Sequence, residues 1–154
     1  SATAGRYVLF GHLFLRKLLS DGRAFYCPSE INPAFMHDTP ENPWPALDST
    51  PSRNIQLGYS ARPEMKIPDV LTGMLPRLTK FKNSAIVADL TSAKVRLETR
   101  HRTGLNVLFG DGSAIWIDRK RIEPAISELP EAAGAPNPAM NPLMDDVWNG
   151  LDRR

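Results

Sequence analysis

In the stretch HRTGLNVLFGDGSAIWIDR, His101 to Arg119, a histidine precedes an aspartate and a serine by a short span. Imidazole, carboxylate and hydroxyl are the parts of a hydrolytic triad. That chemistry needs a serine on a strained elbow, a histidine in hydrogen-bond reach and an acid behind it. The chain carries no G-x-S-x-G, and Ser113 sits at a hairpin end with no helix following to form an oxyanion hole. The same residues have a structural use: Asp111 shapes a turn, Gly112 supplies a positive φ, and His101 bonds to neighbouring backbone. No catalytic residue is assigned, and the chain reads as a non-enzyme.

Metal chemistry is the next use for these side chains. His12, His37 and His101 form no pair at zinc-ligand spacing, and Cys27 has no second cysteine. Asp89, Asp111 and Asp118 carry oxygens suited to calcium, although no EF-hand-type loop surrounds them. The expectation is no cofactor, with calcium at Asp111 and Asp118 the one metal candidate. Cys27, beside Pro28, lacks a nearby base or helix N-terminus and reads as a small buried hydrophobe. LFGDG leads from one strand into another, which is not a phosphate-binding arrangement.

Bulk properties narrow the class. The 154 residues are 42% hydrophobic, and 19 basic against 17 acidic residues leave a net charge of +2. Nucleic-acid binding is not expected, because basic residues do not predominate. A single cysteine precludes an internal disulfide, and 14 prolines predict long irregular connections. No apolar run approaches the ~18 residues of a membrane span, and no signal peptide leads the chain. A start at SATAG, without an initiator Met, is expected of a mature or truncated piece.

The elements that must position these residues follow from periodicity. In RYVLFGHLFLRKLLSDG, Tyr7, Phe10, Phe14 and Leu18 recur at helical steps, and Asp21-Gly22 is the expected stop. AFYCPSE reads as a short extended piece. Ile31 to Pro51 holds five prolines and reads as a surface loop pinned by Phe35, Trp44 and Leu47. NIQLGYSAR alternates as a half-buried strand, IPDVLTGMLPRLTKF is divided by Pro76, and SAIVADL is a short strand. KVRLETRH alternates too. It predicts a strand with Val95, Leu97, Thr99 and His101 on one side and the charges in solvent on the other.

LNVLF-GDGS-AIWI predicts a hairpin closed by a two-residue type I′ turn at Asp111-Gly112. That register sets Val107 against Trp116, Leu108 against Ile115 and Phe109 against Ala114, with Val107, Phe109 and Trp116 in the core. Such a ribbon is apolar on both faces and must be covered twice. The first helix is one cover; the Pro-rich loop, or something outside this chain, is the other. RIEPAISELP reads as a helical turn, EAAGAPNPAMNP as a linker, and PLMDDVWNGLDRR as a short amphipathic docking helix. The expected division is 1–128 for an α+β domain and 129–154 for the linker and docking helix.

Taken in order, LFLRKLLSDGRAFYCPS, the strand at Tyr59, SAIVADL, RHRTGLNVLFGDGSAIWI and DDVWNGLD resemble one family. It is the bacterial prepilin-like proteins with a prepilin-type cleavage/methylation N-terminus, of planctomycete and verrucomicrobial type, related to type II secretion pseudopilins. His101, Gly104, Asn106, Val107, Leu108, Phe109, Asp111, Gly112 and Ser113 match its H-x-x-G-x-N-V-L-F-x-D-G-S pattern, and Cys27, Pro28 and Ser29 its CPS segment.

The resemblance implies an α+β head with an N-terminal helix, a small antiparallel sheet and long Pro-rich loops, lacking most of the family's long N-terminal helix. It implies a non-enzymatic subunit of an envelope filament or secretion apparatus, in the periplasm or outside the cell. Its partners would be other pilin-like subunits or secretion components, with membrane contact only through that helix. His101, Gly104, Asn106, Asp111, Gly112, Ser113 and Trp116 then form a structural motif. A second reading, from the aromatic residues in the long loop, is an extracellular module that recognises glycan or peptide through Phe35 and Trp44.

Overall fold

The computed structural model describes residues 10–45, 55–62, 78–89, 92–131 and 140–153. It divides into two compact units, Ser1–Tyr59 and Ser60–Arg154. The class is α+β: a four-stranded antiparallel sheet in the order β1-β2-β3-β4, with short helices.

In the first unit the helix is shorter than its apolar stripe predicts. Among the described residues α1 covers only Gly11–Leu15. Lys17 takes φ 58°, its N–H bonds to Phe14 O at 2.9 Å, and the Leu18 N–H bonds to Leu13 O at 2.9 Å. That is a Schellman closure with lysine where glycine is usual, so the helix ends before the Asp21-Gly22 stop read from sequence. Asp21 instead accepts from the Arg23 N–H at 2.9 Å and caps a 3₁₀ turn over Gly22–Phe25. Beyond it, Phe25, Tyr26 and Cys27 are buried.

The Pro-rich loop is irregular but organised by one side chain. Asn42, buried, donates from Nδ2 to Met36 O at 2.9 Å and to Gln56 O at 2.8 Å. Its Oδ1 accepts the Gln56 N–H at 2.9 Å. One amide thus satisfies three backbone groups that no ladder serves. Residues 46–54, including Leu47 as a pin of the loop, lie outside the described set. Most of the segment divided by Pro76 does too, apart from a 3₁₀ turn at Leu78–Phe81.

The sheet consists of β1 (Tyr59–Ala61), β2 (Ala85–Asp89), β3 (Gly104–Phe109) and β4 (Ala114–Asp118), the last three within the second unit. KVRLETRH does not continue it. Lys94–Thr99 is a helix, α2, with Leu97 buried and Val95 exposed. Two apolar residues cannot establish a period, and Lys, Arg, Leu and Glu are all good helix formers. The Lys94 and Val95 N–H groups at its start donate to Pro130 O and Glu131 O, both at 3.1 Å.

The hairpin also differs from its expected register. Val107 pairs with Ile115, Leu108 with Ala114, and Asn106 with Trp116. The Gly112 N–H bonds to Phe109 O and the Phe109 N–H to Ser113 O, both at 2.9 Å; Gly112 alone in the turn has positive φ, at 85°. Gly110, Asp111 and Gly112 therefore form a three-residue loop. A type I′ turn would need positive φ at Asp111 as well. A one-residue slip moves every side chain to the opposite face. Leu105, Val107, Phe109 and Ile117 are buried on one face, whereas Trp116, expected in the core, remains 48% exposed beside Asn106.

The inner face is covered from the C-terminal side of the chain. Ile122, Ile126 of α3 (Glu123–Ser127), Leu129, and Val147, Trp148 and Leu151 of α4 (Met140–Leu151) join the sheet residues in one cluster. The segments read as a helical turn and a docking helix thus supply much of this unit's core. Burying several large side chains, each worth about 1.5–3 kcal/mol, makes α4 integral to the sheet's stability.

Candidate functional site

The residues at His101–Arg119 separate into two polar clusters at opposite ends of β3. Six extended residues span roughly 20 Å, so His101 and Ser113 do not form a nucleophile–base pair.

At the first end, β2 finishes on Asp89, a buried carboxylate. Its Oδ2 accepts the Asn106 N–H at 2.7 Å and lies 3.3 Å from Asn106 Nδ2. His101 Nε2 stands 3.6 Å from the same oxygen, beyond a direct hydrogen bond. Asp89 Oδ1 is buried and has no hydrogen-bond partner. The His101 ring meets Trp116 edge-on, with centroids 5.3 Å apart. Trp116 can reach it because Gly104 has no side chain: a Cβ there would stand 2.7 Å from the indole and 2.3 Å from Ile117 O. His101, Gly104, Asn106 and Trp116 are thereby brought together around Asp89.

At the turn, the Asp111 Oδ1 accepts the Ser113 N–H at 2.9 Å and the Ser113 hydroxyl at 2.5 Å. Arg153 donates to Asp111 Oδ2 at 2.7 Å and to Ser113 Oγ, with its guanidinium 4.0 Å over the Phe109 ring. The Ser113 hydroxyl, the Ser113 amide and Arg153, in that order, hold the Asp111 carboxyl down at about 2. The Ser113 hydroxyl thus donates to the Asp111 carboxylate and accepts from Arg153. Beside this clamp, Asp152 Oδ1 accepts the Ala85 N–H and Arg62 Nη1, both at 2.8 Å, while Arg62 Nη2 donates to Asn149 at 2.8 Å. The end of α4 thus fastens both β2 and the hairpin turn.

Two of the carboxylates considered for calcium carry hydrogen bonds within the fold. Asp111 is taken by Ser113 and Arg153, and Asp118 Oδ1 accepts the Lys120 N–H at 2.8 Å. Of the loop aromatics, Phe35 is half-buried. Trp44 packs against Phe14, Phe25, Tyr26 and His37, with centroids 4.9–6.1 Å apart. Its indole fills the space that a side chain at Gly22 would need.

Sequence reasoning singled out the motif residues but not what they hold. It noted Asp89 for its oxygens and as part of SAIVADL, but not as the buried partner of Asn106. Arg153 and Asn42 went unassigned, because nothing local indicates partners 42 and 14 residues away. Compared with protein-family models, with curated proteins and with solved structures, the chain matches none.

Proposed function

We propose that this chain is a non-enzymatic head domain of a pilin-like or pseudopilin-like subunit, acting in a cell-envelope filament or secretion apparatus. The observation that carries the reading is the use to which the shared motif is put. His101, Gly104 and Asn106 gather round Asp89, and Asp111 and Ser113 are held by Arg153, so each serves the sheet. Gly112 supplies the turn's positive φ. A motif devoted to holding a hairpin fits a family whose work is assembly.

The second support is the sheet edge. β4 ends the strand order, and its Ile115 and Trp116 are 40% and 48% exposed. An apolar edge strand invites pairing, and natural proteins usually blunt one unless a partner covers it. In the filament reading neighbouring pilin-like subunits or secretion components are that partner. Among the described residues no helix is long and apolar enough to cross a membrane. Anchoring in this reading belongs to the family's long N-terminal helix. The alternative through Phe35 and Trp44 has less in its favour, since Trp44 is already engaged by four other rings.

The test is assembly in the source organism. The native gene product should be processed, reach the envelope and enter sheared or detergent-resistant filaments. An Ile115→Cys variant should yield crosslinked multimers there. A product that stays unprocessed in the cytoplasm would defeat the proposal.

A further inference from the structure

We propose that the turn closing α1 is a membrane-surface contact whose partner is an anionic lipid bilayer. Leu15, Leu18 and Leu19 are 55%, 70% and 40% exposed, an unusual concentration for a residue type that folding ordinarily buries. The Schellman closure makes this specific. The residue in Leu18's place often packs back on the helix, whereas here Leu18 is the most exposed of the three.

Charge identifies the partner. Arg16 and Lys17 lie between the leucines and are exposed, and neither forms a salt bridge with a described residue. The one acid from Phe10 to Phe25 is Asp21, which Arg23 holds at 2.8 Å. An apolar depression of about 350 Å³, lined by Phe14, Leu15, Lys17 and Ser20, adjoins them.

Size separates a bilayer from a protein partner. A stable protein interface buries about 1,000 Å² or more, beyond what a five-residue turn supplies. Leucines interleaved with cations suit the lipid interface, where acyl chains take the apolar groups and anionic headgroups the charges. This contact does not depend on the filament reading, and its test needs no assembly.

Sedimentation of the whole chain with lipid vesicles is the measurement. Vesicles of phosphatidylcholine with about one-third phosphatidylglycerol should bind roughly tenfold more protein than pure phosphatidylcholine, and added salt should reduce the difference. Leu18→Asp with Leu19→Asp should cut binding about tenfold or more. Arg16→Glu with Lys17→Glu should abolish the preference for anionic lipid. These side chains are exposed, and circular dichroism would show that the variants remain folded. Equal binding to both vesicles, or unaltered binding by the leucine variant, overturns the proposal. So does self-association that Leu18→Asp abolishes in a protein that binds no vesicle; a second copy would then be the partner.

Discussion

Replacing Gly104 by alanine tests whether the first polar cluster depends on an empty volume. A Cβ at this position would stand 2.3 Å from the Ile117 carbonyl oxygen and 2.7 Å from the Trp116 indole, where ordinary contact begins near 3.4 Å. The indole is half-exposed and can swing away; the carbonyl belongs to β4 and cannot. Relief requires β3 and β4 to part locally by about 1 Å, an overpacking cost of about 1–3 kcal/mol. Displacing Trp116 also sacrifices its contact with His101, worth about 0.5–1.5 kcal/mol. Alanine recovers roughly 0.5–1 kcal/mol by restricting the unfolded chain. The expected net loss is about 0.5–4 kcal/mol. At this chain length that lowers Tm by roughly 1–16 °C, measurable by calorimetry and urea denaturation. A second comparison separates the two obstacles. Gly104→Ala made in a Trp116→Ala background should still destabilise by about 1 kcal/mol or more, because the nearer atom is backbone. Equal or greater stability for Gly104→Ala would refute the packing argument. No further loss in the Trp116→Ala background would assign the whole effect to the indole.

Three more outcomes follow from the same structure. Trp148→Ala should cost about 3–5 kcal/mol, since α4 lies within the core cluster, and a loss below about 1 kcal/mol in urea denaturation would mean that α4 is dispensable. Gly112→Ala should cost about 1–2 kcal/mol from φ alone, because nothing lies within 4 Å of the added Cβ. Gly112→Asn should cost less, and thermal melts of the two would order them. The Asp111 carboxyl, followed by NMR, should titrate near 2 instead of its ordinary 3.8. A depressed folded pKa means that its stabilisation is complete above the unfolded value and is lost as pH falls toward 2. Ser113→Ala should raise the midpoint toward 3.8 more than Arg153→Ala does, because the hydroxyl is the larger cause.

What could be read from sequence was what local chemistry dictates. SAIVADL is β2, RIEPAISELP contains α3, and the apolar spacing in PLMDDVWNGLDRR is part of α4. Two misreadings have separate local causes. A period of two counted over Val95, Leu97, Thr99 and His101 described a strand, but within Lys94–Thr99 only Leu97 is buried, and that single contact suits a helix equally. The early end of α1 at Lys17 was invisible because lysine adopts positive φ rarely, and the conspicuous glycine lies five residues later. Arg153 and Asn42 act across the chain, where no local pattern speaks.

The hairpin turn shows how much a single backbone angle decides. Asp111-Gly112 fits either a two-residue turn with both residues at positive φ or a three-residue loop with glycine alone there. Aspartate adopts positive φ only at a cost. In the observed loop, Asp111 also places its carboxylate on the Ser113 amide and hydroxyl, and Arg153 adds a third donor. That choice sets Trp116 opposite Asn106, over Gly104 and against His101, instead of in the core opposite Val107. The core face then closes with Ile117 and the C-terminal helices. The apolar surface expected on both faces contracts to Ile115 and Trp116 on an edge strand. A histidine, an aspartate and a serine that resemble catalytic parts are thus divided between two ends of one strand. There they take part in the register that leaves Ile115 and Trp116 exposed.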